Sequence, residues 1–499
     1  MTTDTDSQLH TSNRRNTVRW PRLLSHWVPF MLCLTAGSVV AAGDNTQSPA
    51  PARINFLFVL MDDMGWKDLG CYGSRFIETP VTDRLASEGM RFTDAYAAAP
   101  VCSPTRASIL TGQYPGRINM YEVLGLQDRP YAKLQSPPKA AELPESLDTF
   151  AEILSRHGYT CGHTGKWHVG RTPQDEGFIA MPKSFADPGL TGLVERHSAK
   201  RIGRITADAI QFLRDHGDQP FMLCVDHHAV HAPLEARREL IQKYKIKLRR
   251  TGVLDVHPAY AAMTEEGDES LGLILDELDR LGLSDNTVVI FTSDNGGLIS
   301  DLYLGEPTPL ATSMLPLRSQ KGDLYEGGIR IPMIVRWPGV VEQGSLCHAP
   351  VTTCDLFSTI LDIADVSPPS GQAVDGLSLV PLLRQNGGLD RETLYWHFPT
   401  SQWSRWPGGA IRRGNYKLIE FFEDDHIELY DLAADIGETV NLVSAYPDLA
   451  AELLNDLRRW RRSVGTRMPT PNPQYDPARD HMTTEPGWLL RSQPVQRDR

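Results

Sequence analysis

Two acidic groups in this chain stand where a sheet would present them together. Asp62-Asp63 follows directly on the apolar run 54–61 (INFLFVLM), and Asp294-Asn295-Gly296-Gly297 follows closely on the run 287–292 (TVVIFT). Apolar runs without alternation suit strands buried on both faces. In an open α/β sheet the ligand crevice lies beyond the carboxyl ends of the strands, so two such exits can meet there. Three carboxylates and an amide oxygen are hard ligands that suit Ca²⁺ or Mg²⁺ better than zinc. An aspartate at a strand end is also an ordinary turn residue, but adjacent carboxylates repel, and a doubled acid calls for a cation.

A second group begins at Cys102-Ser103-Pro104-Thr105-Arg106 and ends at Leu110-Thr111-Gly112. Ser103 suits an N-cap, Pro104 the first helical position and Gly112 the far end, which predicts a short helix starting just after Cys102. Its N-terminus would offer free N–H groups and positive potential to an anion, with Arg106 in the first turn. On residue type alone, Cys102 is either an activated thiol nucleophile or a small core-filling cysteine. Lys166 and His168 are two apart, so an extended segment would turn both to one face. His227 and His228, ahead of His231, either pack at a strand exit or belong to a zinc cluster, which the oxygen-rich acidic pairs disfavour. Lys321, taken alone, is a solvated lysine.

These residues need a scaffold, and the pattern around them supplies one. Further buried runs at 221–225 (FMLCV) and 331–335 (IPMIV) alternate with helix-like segments at 148–156 and 270–281. That order predicts an α/β layer structure, a mostly parallel sheet sandwiched by helices, over residues 53–385. From 386 to 499 the texture changes to short strand-like pieces at 394–398, 410–413, 416–422 and 427–430, with Gly414-Asn415 as a hairpin turn. Leu449, Leu453, Leu454, Leu457 and Trp460 recur at helical spacing, predicting an amphipathic helix over one face of a small antiparallel sheet. The Pro-rich tail after Thr466 should be irregular. Trp403, Arg405 and Trp406 form an aromatic and basic loop that either stacks on a sugar or makes a domain contact.

Composition removes two broad classes. With 50 Lys+Arg against 62 Asp+Glu and 41% hydrophobic residues, the 499-residue chain lacks the basic excess of a nucleic-acid binder and the polarity of a disordered one. Arg14, Arg15, Arg19 and Arg22 precede the apolar stretch 27–42, which ends in small residues; this is the order of a secretory signal peptide covering residues 1–42. The stretch is shorter than the roughly 20 residues of a membrane-spanning helix, so export to the periplasm or the medium, without a stable membrane anchor, is expected. The remaining cysteines, Cys71, Cys102, Cys161, Cys224, Cys347 and Cys354, are too sparse for a disulfide framework and leave one or two bridges open.

The segment Cys102-Ser103-Pro104-Thr105-Arg106 with Leu110-Thr111-Gly112 resembles the signature of the type I, formylglycine-dependent sulfatases of the alkaline phosphatase superfamily. Asp62-Asp63, Gly165-Lys166-Trp167-His168, His231-Ala232-Pro233, Asp294-Asn295-Gly296, Lys321-Gly322 and Glu326-Gly327-Gly328 join it in the family's order, over roughly residues 53–475. Gln320 stands where the family has a small glycine. The resemblance implies that residue 102 is oxidised to an aldehyde by a formylglycine-generating enzyme, and that one Ca²⁺ is bound by Asp62, Asp63, Asp294, Asn295 and the modified residue 102. It further implies that a hydroxyl of hydrated residue 102 attacks sulfur with help from Asp294, and that His168 deprotonates the second hydroxyl to expel sulfate. Arg106 and Lys166 resemble residues that hold the diol; His231 and Lys321 resemble those that bind sulfate and protonate the leaving oxygen. The implied substrate is a sulfated carbohydrate, with an aryl sulfate as a reporter. A phosphomonoester or phosphonate hydrolase on the same site and a non-catalytic sulfoglycan-binding protein are the alternatives.

Overall fold

The computed structural model describes residues 53–125, 128–253, 255–299, 311–400 and 406–480. In chain order its strands are β1 (Asn55–Met61), β2 (Met90–Tyr96), β3 (Leu134–Gln135), β4 (Thr160–Gly165), β5 (Phe221–Asp226), β6 (Thr287–Ser293), β7 (Arg330–Arg336), β8 (Ser345–Cys347), β9 (Val351–Thr352), β10 (Thr393–Phe398), β11 (Gly408–Arg413), β12 (Tyr416–Phe421), β13 (Ile427–Asp431) and β14 (Thr470–Pro471). The large sheet has the order β4-β5-β1-β6-β7-β2-β8, with β9 also on β2. Strands β4, β5, β1 and β6 run parallel, and β7 runs against both of its neighbours. The expected mostly parallel sheet is therefore present, and the 331–335 run is its one reversed strand.

The lack of alternation in β1 follows from burial on both sides. Phe56, Phe58 and Leu60 pack with Phe150, Ile153 and Leu154 of the helix Phe150–Arg156 and with Ile109 and Phe357. Leu57, Val59 and Met61 point the other way, onto Ile205 and Phe212 of the helix Ile202–His216 and Tyr260 and Leu271 of the helix Pro258–Arg280. Each such side chain contributes about 1.5–3 kcal/mol by leaving water, which holds the carboxyl ends of these strands in fixed register.

The C-terminal strands form the sheet β10-β11-β12-β13, antiparallel throughout, with Gly414-Asn415 turning between the paired Arg413 and Tyr416. Ile411, Leu418 and Leu429 meet Leu453, Leu457 and Trp460 of the helix Pro447–Val464, as the amphipathic spacing requires. The opposite face, through Leu394, Trp396, Phe398 and Ile419, packs on Tyr96, Val101 and Cys102. Buried charges cross this seam: Lys417 Nζ lies 2.9 Å from both Glu326 and Glu438, and Arg330 lies 3.0 Å from Glu326. Burial pushes the Glu326 carboxyl up, but Lys417, Arg330 and Arg412 outweigh it and hold the group down at about 2.

Three local expectations change. The helix anticipated at 270–281 starts at Pro258, where the His257 side chain accepts from Ala259 N. The tail is not wholly irregular, since β14 pairs with β3. The six cysteines of the described residues are all free thiols. The leader 1–42, Trp403 and Arg405 lie outside the described residues. Among the described residues no helix is long and apolar enough to cross a membrane.

Candidate active site

Four adjacent parallel strands deliver the site at their carboxyl ends. Register pairs Met61 with Ser293 across β1 and β6, and Asp294 N donates to Met61 O (3.1 Å), so the two acidic exits lie side by side. On the other flank Leu60 pairs with Asp226, and Asp226 with Gly165, which brings the segments after β5 and β4 to the same edge. Asp62, Asp63, Asp294 and Asn295 are all buried, the last two completely. Asp63 takes a left-handed conformation (φ 62°), a strain that aims its carboxylate back at the cluster.

The helix over this edge is Cys102–Thr111, and Gly112 closes it. Ser103 does not cap it: its hydroxyl accepts from Leu124 N (3.1 Å) instead, and Cys102 itself is the first helical residue. The Cys102 thiol lies with the carboxylates of Asp62 and Asp63 and the His231 imidazole in one group whose ligand atoms are all within 4.8 Å of one another. Burial, the dominant influence, pushes this thiol up to about 11 even though Lys166 and Lys321 pull it down. That direction favours the thiol over the thiolate that an activated sulfur nucleophile needs.

Cations bind the acids together. Lys166 Nζ donates to both oxygens of Asp62 at 2.7 Å, and Lys321 Nζ contacts Asp63 at 2.7 and 2.9 Å. Arg106 donates through Nε to Asp294 (2.9 Å) and through Nη1 to Asp226 (3.0 Å) and the Lys166 carbonyl (2.9 Å). Burial raises Asp62, but Lys166, His231, Arg106 and Lys321 together hold it well below the usual carboxylate range. Asp294 goes the other way, up to about 6, because burial and the nearby Asp62 charge outweigh Arg106 and Lys166. Asp226 is the site residue that sequence reasoning missed; its only signal was an acid ending an otherwise apolar strand, FMLCVD.

Asn295 shows how a cation would fit. Its Nδ2 donates to Asp63 (2.7 Å) and to the Gly296 carbonyl (2.9 Å), which fixes the amide and leaves Oδ1 buried without a partner among the described residues. A buried, oriented acceptor beside three carboxylates matches a hard cation. Glycines allow this approach: a Cβ on Gly296 would lie 1.9 Å from the Gly327 carbonyl oxygen, so the Glu326-Gly327-Gly328 segment packs against the Asp294-Asn295 loop and does not itself enter the site. Gln320, in place of the expected glycine, uses its Oε1 to accept from Ile299 N (2.6 Å), and Lys321 N still donates to Gly297 O (3.0 Å).

An open cleft of about 430 Å³ leads to this floor, lined by Asp62, Lys166, His168, His228, His231 and their neighbours. Lys166 and His168 both reach it, though not from an extended segment, because His168 is left-handed (φ 63°). Burial, aided by Lys166 and Arg106, pushes His168 down to about 4, and its Nδ1 is buried without a partner among the described residues. Burial and Lys321 also lower His231. His227 is fully buried and meets Ser270 Oγ (3.2 Å), the packing role anticipated for it, while His228 lines the cleft.

The sulfatase family model matches residues 54–366, and the model described as N-sulphoglucosamine sulphohydrolase, C-terminal, matches 320–463. The first match covers more than half of the chain and contains every strand exit described above. The chain belongs to the sulfatase family. Members of that family are sulfuric ester hydrolases, so this sulfatase is an enzyme. It is 33% identical to the N-acetylgalactosamine-6-sulfatase of Mus musculus over 88% of this chain and 85% of that protein. It is 30% identical to a sulfatase of Formosa agariphila over 85% and 91%. Its fold matches the crystal structure of Ps i-CgsB in complex with k-i-k-neocarrahexaose, with a TM-score of 0.68 and 24% identity, over 85% of this sulfatase and 94% of that chain.

Proposed function

We propose that this sulfatase removes sulfate from a sulfated carbohydrate, using residue 102 after its oxidation from cysteine to formylglycine and one Ca²⁺ held by Asp62, Asp63, residue 102, Asp294 and Asn295. The observation that carries the reading is the placement of residue 102: the first residue of a buried helix, with its side chain among the Asp62 and Asp63 carboxylates and His231. A soft thiol is a poor ligand for a hard cation, whereas an oxygen at the same position completes an oxygen donor set. Bound there, Ca²⁺ would supply polarisation of sulfate oxygens and offset part of the charge of the three buried carboxylates. Hydrated, the aldehyde would supply two hydroxyls on one carbon, one to attack sulfur and one from which the aldehyde is regenerated.

The surrounding side chains supply the groups this chemistry needs. Arg106 and Lys166, fixed by Asp294, Asp226 and Asp62, orient the hydroxyls of residue 102. Asp294, raised to about 6, is the acceptor assigned to the first proton. His168 is neutral at pH 7 and able to take the second. Lys321, kept charged by Asp63, faces the sulfate, and His231 gives a proton to the leaving oxygen. The carbohydrate rests on the N-acetylgalactosamine-6-sulfatase relative and on the carrahexaose bound by the structural neighbour. Export through the leader 1–42 and maturation by a formylglycine-generating enzyme complete the proposal.

Mass spectrometry of the tryptic peptide containing residue 102, from a host that makes formylglycine, tests it directly. The expected product lacks the sulfur and two hydrogens and carries one extra oxygen. An unmodified Cys102 in protein that turns over sulfate esters would overturn the mechanism. Matched sulfate and phosphate esters, assayed with and without EGTA, complete the test: sulfate preference and Ca²⁺-restored activity are expected. Phosphate preference would move the enzyme to the phosphohydrolase alternative.

A further inference from the structure

The residues lining the cleft include Lys200 and Arg201 together with His228 and His231. Both have left-handed backbones, with φ 48° at Lys200 and φ 58° at Arg201, although neither is glycine. Two consecutive left-handed residues with long side chains are disfavoured, and such strain persists only where the surroundings impose it, most often at functional sites. Here the surroundings are clear. The turn Ala199–Arg201 leads directly into the helix Ile202–His216, whose Ile202 and Ile205 are buried, and Gly203 N donates to His197 O (2.7 Å). The anchored helix and the kink before it set both cationic residues at the cleft edge.

At the cleft edge Arg201 adds a cationic group to those of the floor. The floor cations are matched by the protein's own acids: Lys166 by Asp62, Lys321 by Asp63, and Arg106 by Asp294 and Asp226. His168 and His228 are each pushed down to about 4, chiefly by burial, and are neutral. Arg201 is exposed and makes no ion pair among the described residues. In a chain of net charge −12, a lysine and an arginine stand side by side in the lining of the cleft.

We infer that Lys200 and Arg201 form a second anion subsite, which takes a sulfate or carboxylate carried by the same saccharide as the sulfate ester being cleaved. The inference rests on the carbohydrate reading above and deepens it: the substrate is a multiply charged glycan. Arginine offers a planar, two-pronged contact to either anion, and lysine adds a point charge. Because these groups touch a part of the substrate that does not react, they act on its binding and on selectivity.

The test compares three substrates: a neutral sugar with one sulfate ester, the same sugar with a second sulfate, and a monosulfated disaccharide containing a uronic acid. An aryl sulfate confirms turnover in each preparation. The variants are Lys200→Gly and Arg201→Gly, alone and together, since glycine removes the side chain while suiting the positive φ. The wild type is expected to prefer at least one doubly charged substrate by about tenfold in kcat/KM. The double variant should lose most of that preference through KM, Arg201→Lys should keep part of it, and added salt should erode it in the wild type but not in the double variant. The responding substrate identifies the second anion as sulfate or carboxylate. Equal kcat/KM on all three wild-type substrates, or an unchanged preference in the double variant, overturns the subsite while leaving the carbohydrate reading intact. Turnover of the aryl sulfate with none of the sugars overturns both.

Discussion

Glu122 is buried at 1% exposure, and among the described residues no cation forms an ion pair with it. Its carboxylate accepts from Val123 N (2.8 Å) and from the Thr400 hydroxyl. Burial, the largest influence, raises the group from 4.5 to about 7, and the two hydrogen bonds recover only part of the difference. The folded state therefore holds a proton on Glu122 that the unfolded state has lost across this interval. The stabilisation is fully present below the unfolded value of 4.5 and is lost as pH rises through about 7. At about 1.36 kcal/mol per pH unit of separation, ionising Glu122 inside the fold costs about 3 kcal/mol.

Glu122→Gln removes the charge and keeps an acceptor for Val123 N, and the Thr400 hydroxyl can reverse to accept from the new amide. The measurement is urea unfolding at 25 °C, wild type against variant, from pH 4.5 to pH 8.5. Relative to its value at pH 4.5, the variant should gain on the wild type steadily, by about 3 kcal/mol at pH 8. The pH-dependent part of the difference is the readout, so a constant offset from the substitution does not matter. Parallel curves would refute the argument, and a variant that gains on the wild type as pH falls would refute its sign. Activity should follow stability, because Leu124, two residues on, donates to Ser103 and turns its carbonyl towards His168 Nε2 (3.4 Å).

Gly296→Ala would put a methyl group 1.9 Å from the Gly327 oxygen, between two backbones that both support the site, and should lower stability by about 1–3 kcal/mol with a marked loss of kcat; unchanged urea unfolding would show that the two segments separate easily. His231→Ala should slow esters with poor leaving groups far more than an activated aryl sulfate. Equal losses on both would take His231 out of the proton-donating role.

What could be read from the sequence was whatever depends on strand exits and short motifs. The runs 54–61 and 287–292 name their own burial, so their aspartates had to emerge at the sheet edge, and the Met61–Ser293 register places them as neighbours. The hairpin at Gly414-Asn415 and the helix over it were legible for the same reason, since turn chemistry and apolar spacing are local. Strands β2 and β4 were not: MRFTDAY and TCGHTG mix polar and small residues, and they are strands because their neighbours pair with them. The Gly-Gly motif after Glu326 was recognised, but its work is to let one backbone approach another.

The electrostatics were the least legible layer, because they arise from pairings between residues far apart in sequence. Asp62 and Asp294 sit in the same cluster, are both fully buried, and move in opposite directions, one well below the usual range and one up to about 6. Nothing in the residue types separates them. Asp62 differs because Lys166 contacts both of its oxygens, while Asp294 shares Arg106 with Asp226 and feels the charge of Asp62. Titratable groups driven apart by their surroundings can divide the roles of permanent charge and exchangeable proton. The proposed mechanism uses that difference, with Asp62 as a fixed anion of the site and Asp294 as the proton acceptor. Asp226, the acid that sequence reasoning passed over, takes another nitrogen of the same guanidinium and so helps to fix Arg106 between the two strand exits.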